Sequence, residues 1–266
     1  MSVNTIFRKV RVQELSRLAT AIMFLTRLPV GRLASAEPTE LVQSTRYFPM
    51  VGFIVGLMLA SSLAILQLLL PPSVAIALML LLSVRLTGAF HEDGLADVAD
   101  SAGAFGVDRK LEIMRDSRVG TYGSLALILL VVIKLVSLWE LWLLDSQLCL
   151  AVLVCAHVLS RWSSVCLMVL EDYARPEAAN KVVAEGVDRR CLLHSSLCAL
   201  LVLLPLALWQ GAAMYLLFIV AWLTVLIAAR QFRTAFGGIT GDCLGAANQV
   251  VEVLVVLAVL MVMSWH

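Results

Sequence analysis

Residues Ser73 to Asp100 read SVAIALMLLLSVRLTGAFHEDGLADVAD, and the stretch changes character halfway along. No charge occurs between Ser73 and Val84, yet Glu92, Asp93, Asp97 and Asp100 follow within a few turns. The first half suits hydrocarbon and the second does not. A helix needs about 20 apolar residues to cross a ~30 Å hydrocarbon core, and runs of that kind recur at residues 47–70, 73–90, 121–144, 148–170, 191–209, 212–229 and 247–264. Mean hydropathy is +0.94 and only 15% of residues are charged, against about 25% in soluble domains. The runs are continuous rather than alternating, which argues against barrel strands. The sequence therefore predicts an all-α, polytopic membrane bundle of about seven transmembrane helices, forming one membrane-embedded domain over residues 1–266.

Charge placement orients the bundle. Segments 1–46, 91–120, 171–190 and 230–246 hold 17 of the 20 Lys and Arg residues, whereas the connections near Pro71-Pro72, Asp145–Gln147 and Gln210-Gly211 hold none. Basic residues favour the cytoplasmic side. The four polar segments are thus expected in the cytoplasm, with the tight turns and the C-terminus outside. The N-terminal ELSRLATAIMFLTRLPV is interrupted by Arg17 and Arg27 and reads as a basic amphipathic helix lying in the interface, or as a short eighth span. The six cysteines (149, 155, 166, 191, 198 and 243) show no CxxC spacing and read as small buried hydrophobes.

If residues 91–101 continue the helix of the second span, Asp93, Asp97 and Asp100 stand at i, i+4 and i+7, within an arc of about 60°. Carboxylates so placed repel each other, which raises their pKa values or calls for a cation. The fitting ions are Mg²⁺ or Mn²⁺, hard cations that take oxygen ligands and share them with phosphate. Glu92 points a quarter turn away and is a weaker ligand. The alternative is a solvated acidic loop.

Two further polar clusters flank spans. In IMRDSRVGTYG, Ile113 to Gly123, Arg115 and Arg118 surround Asp116 and Ser117 ahead of two glycines. The pattern fits phosphate recognition, or plain positive-inside anchoring of the arginines. In FGGITGDCLGAANQVVE, Phe236 to Glu252, Gly237, Gly238, Gly241 and Gly245 surround Asp242 at a helix entrance. This fits a phosphate-binding helix N-terminus, or an N-cap beside close-packed helices. Glu252 falls inside an apolar span, where ionisable groups are expensive and usually functional. Arg85 is expected to share a polar cavity with His91, and His157 and Arg161, spaced i, i+4, are candidates to line it. The sequence does not decide whether Lys134 and Glu140 pair across helices or serve a substrate. His194 and His266 are expected to be uninvolved.

FHEDGLADVAD, then LEIMRDSRVGTYG, then GGITGDCLGA, preceded by FLTRLPV (Phe24–Val30) and RYFPMVG (Arg46–Gly52), closely resemble the cobalamin synthase family, the adenosylcobinamide-GDP ribazoletransferases. The resemblance runs from Phe24 to the last span. It implies an integral inner-membrane enzyme with its active site facing the cytoplasm. A ribose hydroxyl of α-ribazole, or of α-ribazole 5′-phosphate, attacks the cobinamide-linked phosphorus of adenosylcobinamide-GDP and expels GMP, with Mg²⁺ (or Mn²⁺) required. Carried onto this chain, the motifs give Asp93, Asp97, Asp100 and Asp242 as metal ligands and His91, Asp93 and Arg118 as the catalytic set. His91 would act as general base near neutrality and Arg118 would hold the pyrophosphate. Arg85, Arg115, Ser117, Gly238 and Gly241 are the further substrate-binding candidates. Membrane lipid surrounds the protein, no nucleic-acid partner is expected, and a homo-oligomer is compatible with the sequence.

Three positions depart from the family pattern: Ser101 in place of a common Gly, Gln249 in place of an expected acid, and ARPEAAN (Ala174–Asn180), which lacks an expected glycine. The Gln249 departure moves attention to Glu252. The nearest rivals are a CDP-alcohol phosphotransferase and a cation transporter. The first wants an Ala-Arg after the opening acidic pair, and here Asp97 follows Ala96. The second places its acids near the midplane, whereas these cluster at the cytoplasmic edge.

Overall fold

The computed structural model describes residues 3–175 and 186–264; residues 176–180 of ARPEAAN, and His266, lie outside them. The described residues form α1 (Val3–Leu25), α2 (Pro38–Ser44), α3 (Phe48–Leu66), α4 (Pro72–Thr87), α5 (Phe90–Ser101), α6 (Val107–Ile113), α7 (Thr121–Leu144), α8 (Ser146–Leu170), α9 (Arg189–Gln210), α10 (Leu216–Phe236) and α11 (Gly241–Met263). Six stretches are long and apolar enough to cross a membrane, and a seventh exists if α4 and α5 count together. The expected all-α, multi-pass architecture is what forms.

Helix α8 is the axis. Polar and ionisable groups within a span face the bundle interior, and α8, which carries His157, Ser160, Arg161, Ser163 and Ser164, is buried at every residue from Ala151 to Met168. Its start is fixed by the Asp145 carboxylate, which accepts the Gln147 and Leu148 N–H groups at 2.9 Å each. Helix α3 lies directly on it. A Cβ at Gly52 would sit 2.2 Å from the His157 carbonyl oxygen, and one at Gly56 would sit 2.9 Å from the Val154 Cα. Lipid gives apolar helices no hydrophobic reason to associate, so such close backbone approach supplies the van der Waals attraction. Helices α7, α9, α10 and α11 complete the ring. The outer face of α7, with Ile128, Leu129, Val132 and Val136 exposed, is turned to lipid. Five of the six free cysteines are buried and Cys198 is half-buried, as their sequence context suggests.

The helix of the second span does not continue into the acidic stretch. Gly88 (φ 68°) and Ala89 (φ 59°) are left-handed, and α5 leaves α4 at 90°. Left-handed backbone is uncommon for a residue with a Cβ, and the segment 24–27 holds it there. The Arg27 N–H donates to the Leu86 carbonyl at 2.7 Å, the Arg27 side chain fills the space a Gly88 Cβ would need, and Phe24 meets Phe90 edge-on at 5.7 Å. Helix α5 therefore runs across the end of α4 instead of extending it. Helix α1 is not among the spans by length and hydropathy. The polar segment 230–246 is also not a long loop. Helix α10 runs to Phe236 and α11 begins at Gly241, so only four residues turn the chain.

Because the α3–α8 contact leaves no room for a side chain, Gly52→Leu should cost about 1–3 kcal/mol, the usual range for overpacking. Thermal unfolding of the detergent-purified variant should show a lowered midpoint, with a smaller drop for Gly52→Ala.

Candidate active site

The three sequence clusters meet at one end of the bundle, where α5 crosses the first turns of α11. Glycine makes the crossing close. A Cβ at Gly94 would lie 2.7 Å from the Asp242 carbonyl oxygen, and one at Gly245 would lie 3.1 Å from the His91 carbonyl oxygen and 3.4 Å from the Gly94 Cα. Asp93 and Asp97 are thereby carried beside Asp242. Burial, and then the charges of Asp242, Asp93 and Asp100, push the Asp97 carboxyl up to about 7. Asp242 has two partners on one oxygen, the Arg175 guanidinium at 3.2 Å and the Thr240 hydroxyl at 3.2 Å. Thr240 also caps α11 by accepting the Cys243 N–H at 3.3 Å.

Arg175 reaches Asp242 through a short backbone bridge. The Ala174 N–H donates to the Ile239 carbonyl at 2.8 Å, and the Ile239 N–H donates to that of Asp172 at 2.9 Å. Gly238 is required in this turn, since a Cβ there would be 2.4 Å from the Asp172 carbonyl oxygen. The sequence marks ARPEAAN only by its missing glycine, and Arg175 is not among the expected site residues.

Asp100 has a different place from the metal role expected of it. Its carboxylate accepts the Gly120 N–H at 2.7 Å and the Gly123 N–H at 2.8 Å, capping α7 from another helix. Any Cβ at Gly120 or Gly123 would fall within 2.5 Å of that carboxylate, which accounts for both glycines. Arg118, expected at the pyrophosphate, is forked on Asp116, with its Nε and Nη2 donating at 3.0 Å and 2.7 Å. The pair holds the Asp116 carboxyl down at about 2. The Arg118 side chain is 88% exposed, and Arg115 and Ser117 are exposed beside it. None of the three touches the carboxylates.

Two other expectations are corrected. Arg85 is exposed whereas His91 is buried, and Arg85 is not among the residues that line the cavity beside His91. His91 also points away from Asp93 and Asp97, which lie 200° and 240° around the helix at 100° per residue. Its ring lines a small cavity, about 50 Å³, with Phe24, Phe48, Phe90, Tyr173 and Gly241, and neither ring nitrogen has a hydrogen-bond partner among the described residues.

Below the crossing lies a buried ionic network. Glu252 of α11 binds Lys134 of α7 at 2.5 Å, His157 of α8 at 3.0 Å, and Arg161 of α8. Gln249 accepts from Lys134 at 2.5 Å. Lys134 thus pairs across helices, while Glu140 is exposed on the outer face. Among the described residues no three His, Cys, Asp or Glu side chains stand close enough together to hold a metal ion in this conformation.

Removing the interhelix cap should loosen the start of α7. Asp100→Ala is expected to cost about 1–2 kcal/mol, as for lost helix caps, and hydrogen exchange should accelerate at Gly120 and Gly123 first. Asp100→Asn, which keeps one acceptor oxygen, should lose less.

A family model described as cobalamin-5-phosphate synthase matches residues 17–260. The protein named adenosylcobinamide-GDP ribazoletransferase in Shewanella frigidimarina (strain NCIMB 400) is 40% identical over 254 residues, covering 93% of this chain and 96% of that relative. The protein of the same name in Shewanella amazonensis (strain ATCC BAA-1098 / SB2B) is 40% identical over 255 residues, covering 95% and 97%. No solved structure matches the chain.

Proposed function

The chain belongs to the cobalamin-5-phosphate synthase family, and from that premise we propose that it is an adenosylcobinamide-GDP ribazoletransferase, the activity its Shewanella relatives are named for. A ribose hydroxyl of α-ribazole or its 5′-phosphate forms a bond to the cobinamide-linked phosphorus. The bond from that phosphorus to GMP breaks, and adenosylcobalamin or its 5′-phosphate and GMP leave. The observation that carries this reading is the meeting of Asp93 and Asp97, from the first motif, with Asp242, from the third.

The donor set suits Mg²⁺ or Mn²⁺, being hard carboxylate oxygens, and burial, followed by the charges of its acidic neighbours, raises the Asp97 carboxyl to about 7. Asp93, Asp97 and Asp242 would hold the ion, with Asp100 adjoining them from its cap on α7. When bound, the ion would neutralise charge on the phosphates. Arg175, already at the edge of this group, supplies a second positive charge. Arg118 sits outside on Asp116, and a substrate phosphate can take that carboxylate's place on its fork, with Arg115 and Ser117 alongside. Gly238 and Gly241 shape the turn beside Asp242. His91 stands on the far side of α5 from Asp93 and Asp97, on a small cavity that also borders Gly241, so the proton of the attacking hydroxyl leaves to water rather than to this ring. The bias of Lys and Arg toward this end of the bundle supports an inner-membrane protein whose active site faces the cytoplasm.

GMP release from adenosylcobinamide-GDP plus α-ribazole tests the reading. Release should require Mg²⁺ and fall on the order of a hundredfold or more in Asp93→Asn, a loss typical of removing a group that stabilises transition-state charge. Unchanged release in that variant would place the metal elsewhere, and no release from well-folded wild type would reject the activity. Arg118→Ala should raise KM more than it lowers kcat, because that arginine binds from outside the carboxylate group.

A further inference from the structure

The outer face of α5, turned away from the carboxylates, borders a groove that the proposed reaction does not use. Leu95 and Val98 of α5, Phe232 and Ile227 of α10, and Val250 and Leu254 of α11 line it, enclosing about 310 Å³. Ile227 is 59%, Val250 40% and Leu254 37% exposed, so the groove opens sideways from the bundle. It runs eight residues along each spanning helix, from Phe232 to Thr224 and from Ala246 to Leu254, or about 12 Å at 1.5 Å per residue. That is most of the ~15 Å depth of one leaflet.

Its mouth is polar and basic. Ile227 and Gln231 continue into a second hollow of about 660 Å³, whose other walls include Lys110 of α6 and Arg230 and Thr234 of α10. Neighbouring arginines are neutralised, Arg233 by Glu171 and Arg109 by Glu112. Lys110 and Arg230 have no carboxylate partner among the described residues. Two cations with no carboxylate partner among the described residues, Lys110 over the Phe236 ring at 6.0 Å and Arg230, therefore stand at the mouth of the apolar slot.

We propose that this groove is a site for one anionic phospholipid, its phosphate on Lys110 and Arg230 and one acyl chain between α5, α10 and α11. A water-soluble anion would use the mouth and leave the slot unfilled; a neutral lipid would fill the slot and leave the two cations unpaired. The chain packs beneath Leu95 and Val98, so the bound lipid braces the helix that carries Asp93 and Asp97. It gives the membrane a part in shaping a site whose own chemistry needs none.

Native mass spectrometry of delipidated protein, with dioleoyl phosphatidylglycerol or dioleoyl phosphatidylcholine added back, tests this without reference to catalysis. Wild type should retain one phosphatidylglycerol per chain in preference to phosphatidylcholine. Lys110→Gln/Arg230→Gln should weaken that retention about 30-fold, the effect of removing two basic residues near a bilayer surface. Val250→Trp, which fills the slot from its exposed side and keeps both cations, should weaken it too, while glycerol 3-phosphate should not compete. Equal retention of the two lipids, undiminished retention by the charge variant, or competition by glycerol 3-phosphate would each overturn the proposal. The charge variant alters only the groove mouth, so it remains informative if Val250→Trp misfolds.

Discussion

The site depends on one steric fact, that nothing but hydrogen separates α5 from α11 at Gly94 and Gly245. Two helices usually pack with axes 8–10 Å apart. A side chain on either glycine would meet the other helix's backbone and move Asp242 away from Asp93 and Asp97. The left-handed turn at Gly88 and Ala89 makes the crossing available, because only a helix bent by 90° can lie across the top of α11. Segment 24–27 holds that bend, so the N-terminal FLTRLPV motif supports acids far along the chain without touching them.

The buried network below does related work. Glu252 ties α11 to α7 through Lys134 and to α8 through His157 and Arg161, so one carboxylate fixes the rotation of three helices. Charges at membrane depth are tolerated when they pair. Breaking such a pair by removing one partner is far more costly than its net contribution suggests, since an uncompensated charge stays behind. Gln249, which stands where an acid was expected, serves this network as a neutral acceptor for Lys134. A second carboxylate there would alter the charge balance around Lys134 and Arg161.

Much of this was legible in the sequence, for identifiable reasons. Continuous apolar runs determine membrane helices, and Thr121–Leu144 matches its expected range at both ends. The i, i+4, i+7 spacing of Asp93, Asp97 and Asp100 survives because all three lie on α5. The bend escaped detection because Gly88-Ala89 looks like ordinary small-residue helix until Arg27 and Phe24 are packed against it. Asp100 and Arg118 were assigned by motif, and no local pattern announces that one caps a distant helix while the other forks on its neighbour. Arg175 was missed because the bridge between residues 172–174 and 239 that delivers it is a long-range backbone contact.

The central claim is that acids from two motifs separated by about 150 residues of chain form one cation site. A double-mutant cycle in Mn²⁺ affinity, followed by electron paramagnetic resonance on the purified protein, tests it most directly. If Asp93 and Asp242 bind the same ion, Asp93→Asn and Asp242→Asn each weaken it, and the double variant loses less than the sum of the two, as coupled neighbours do. Additive losses, or an affinity unchanged by Asp242→Asn, would contradict the account.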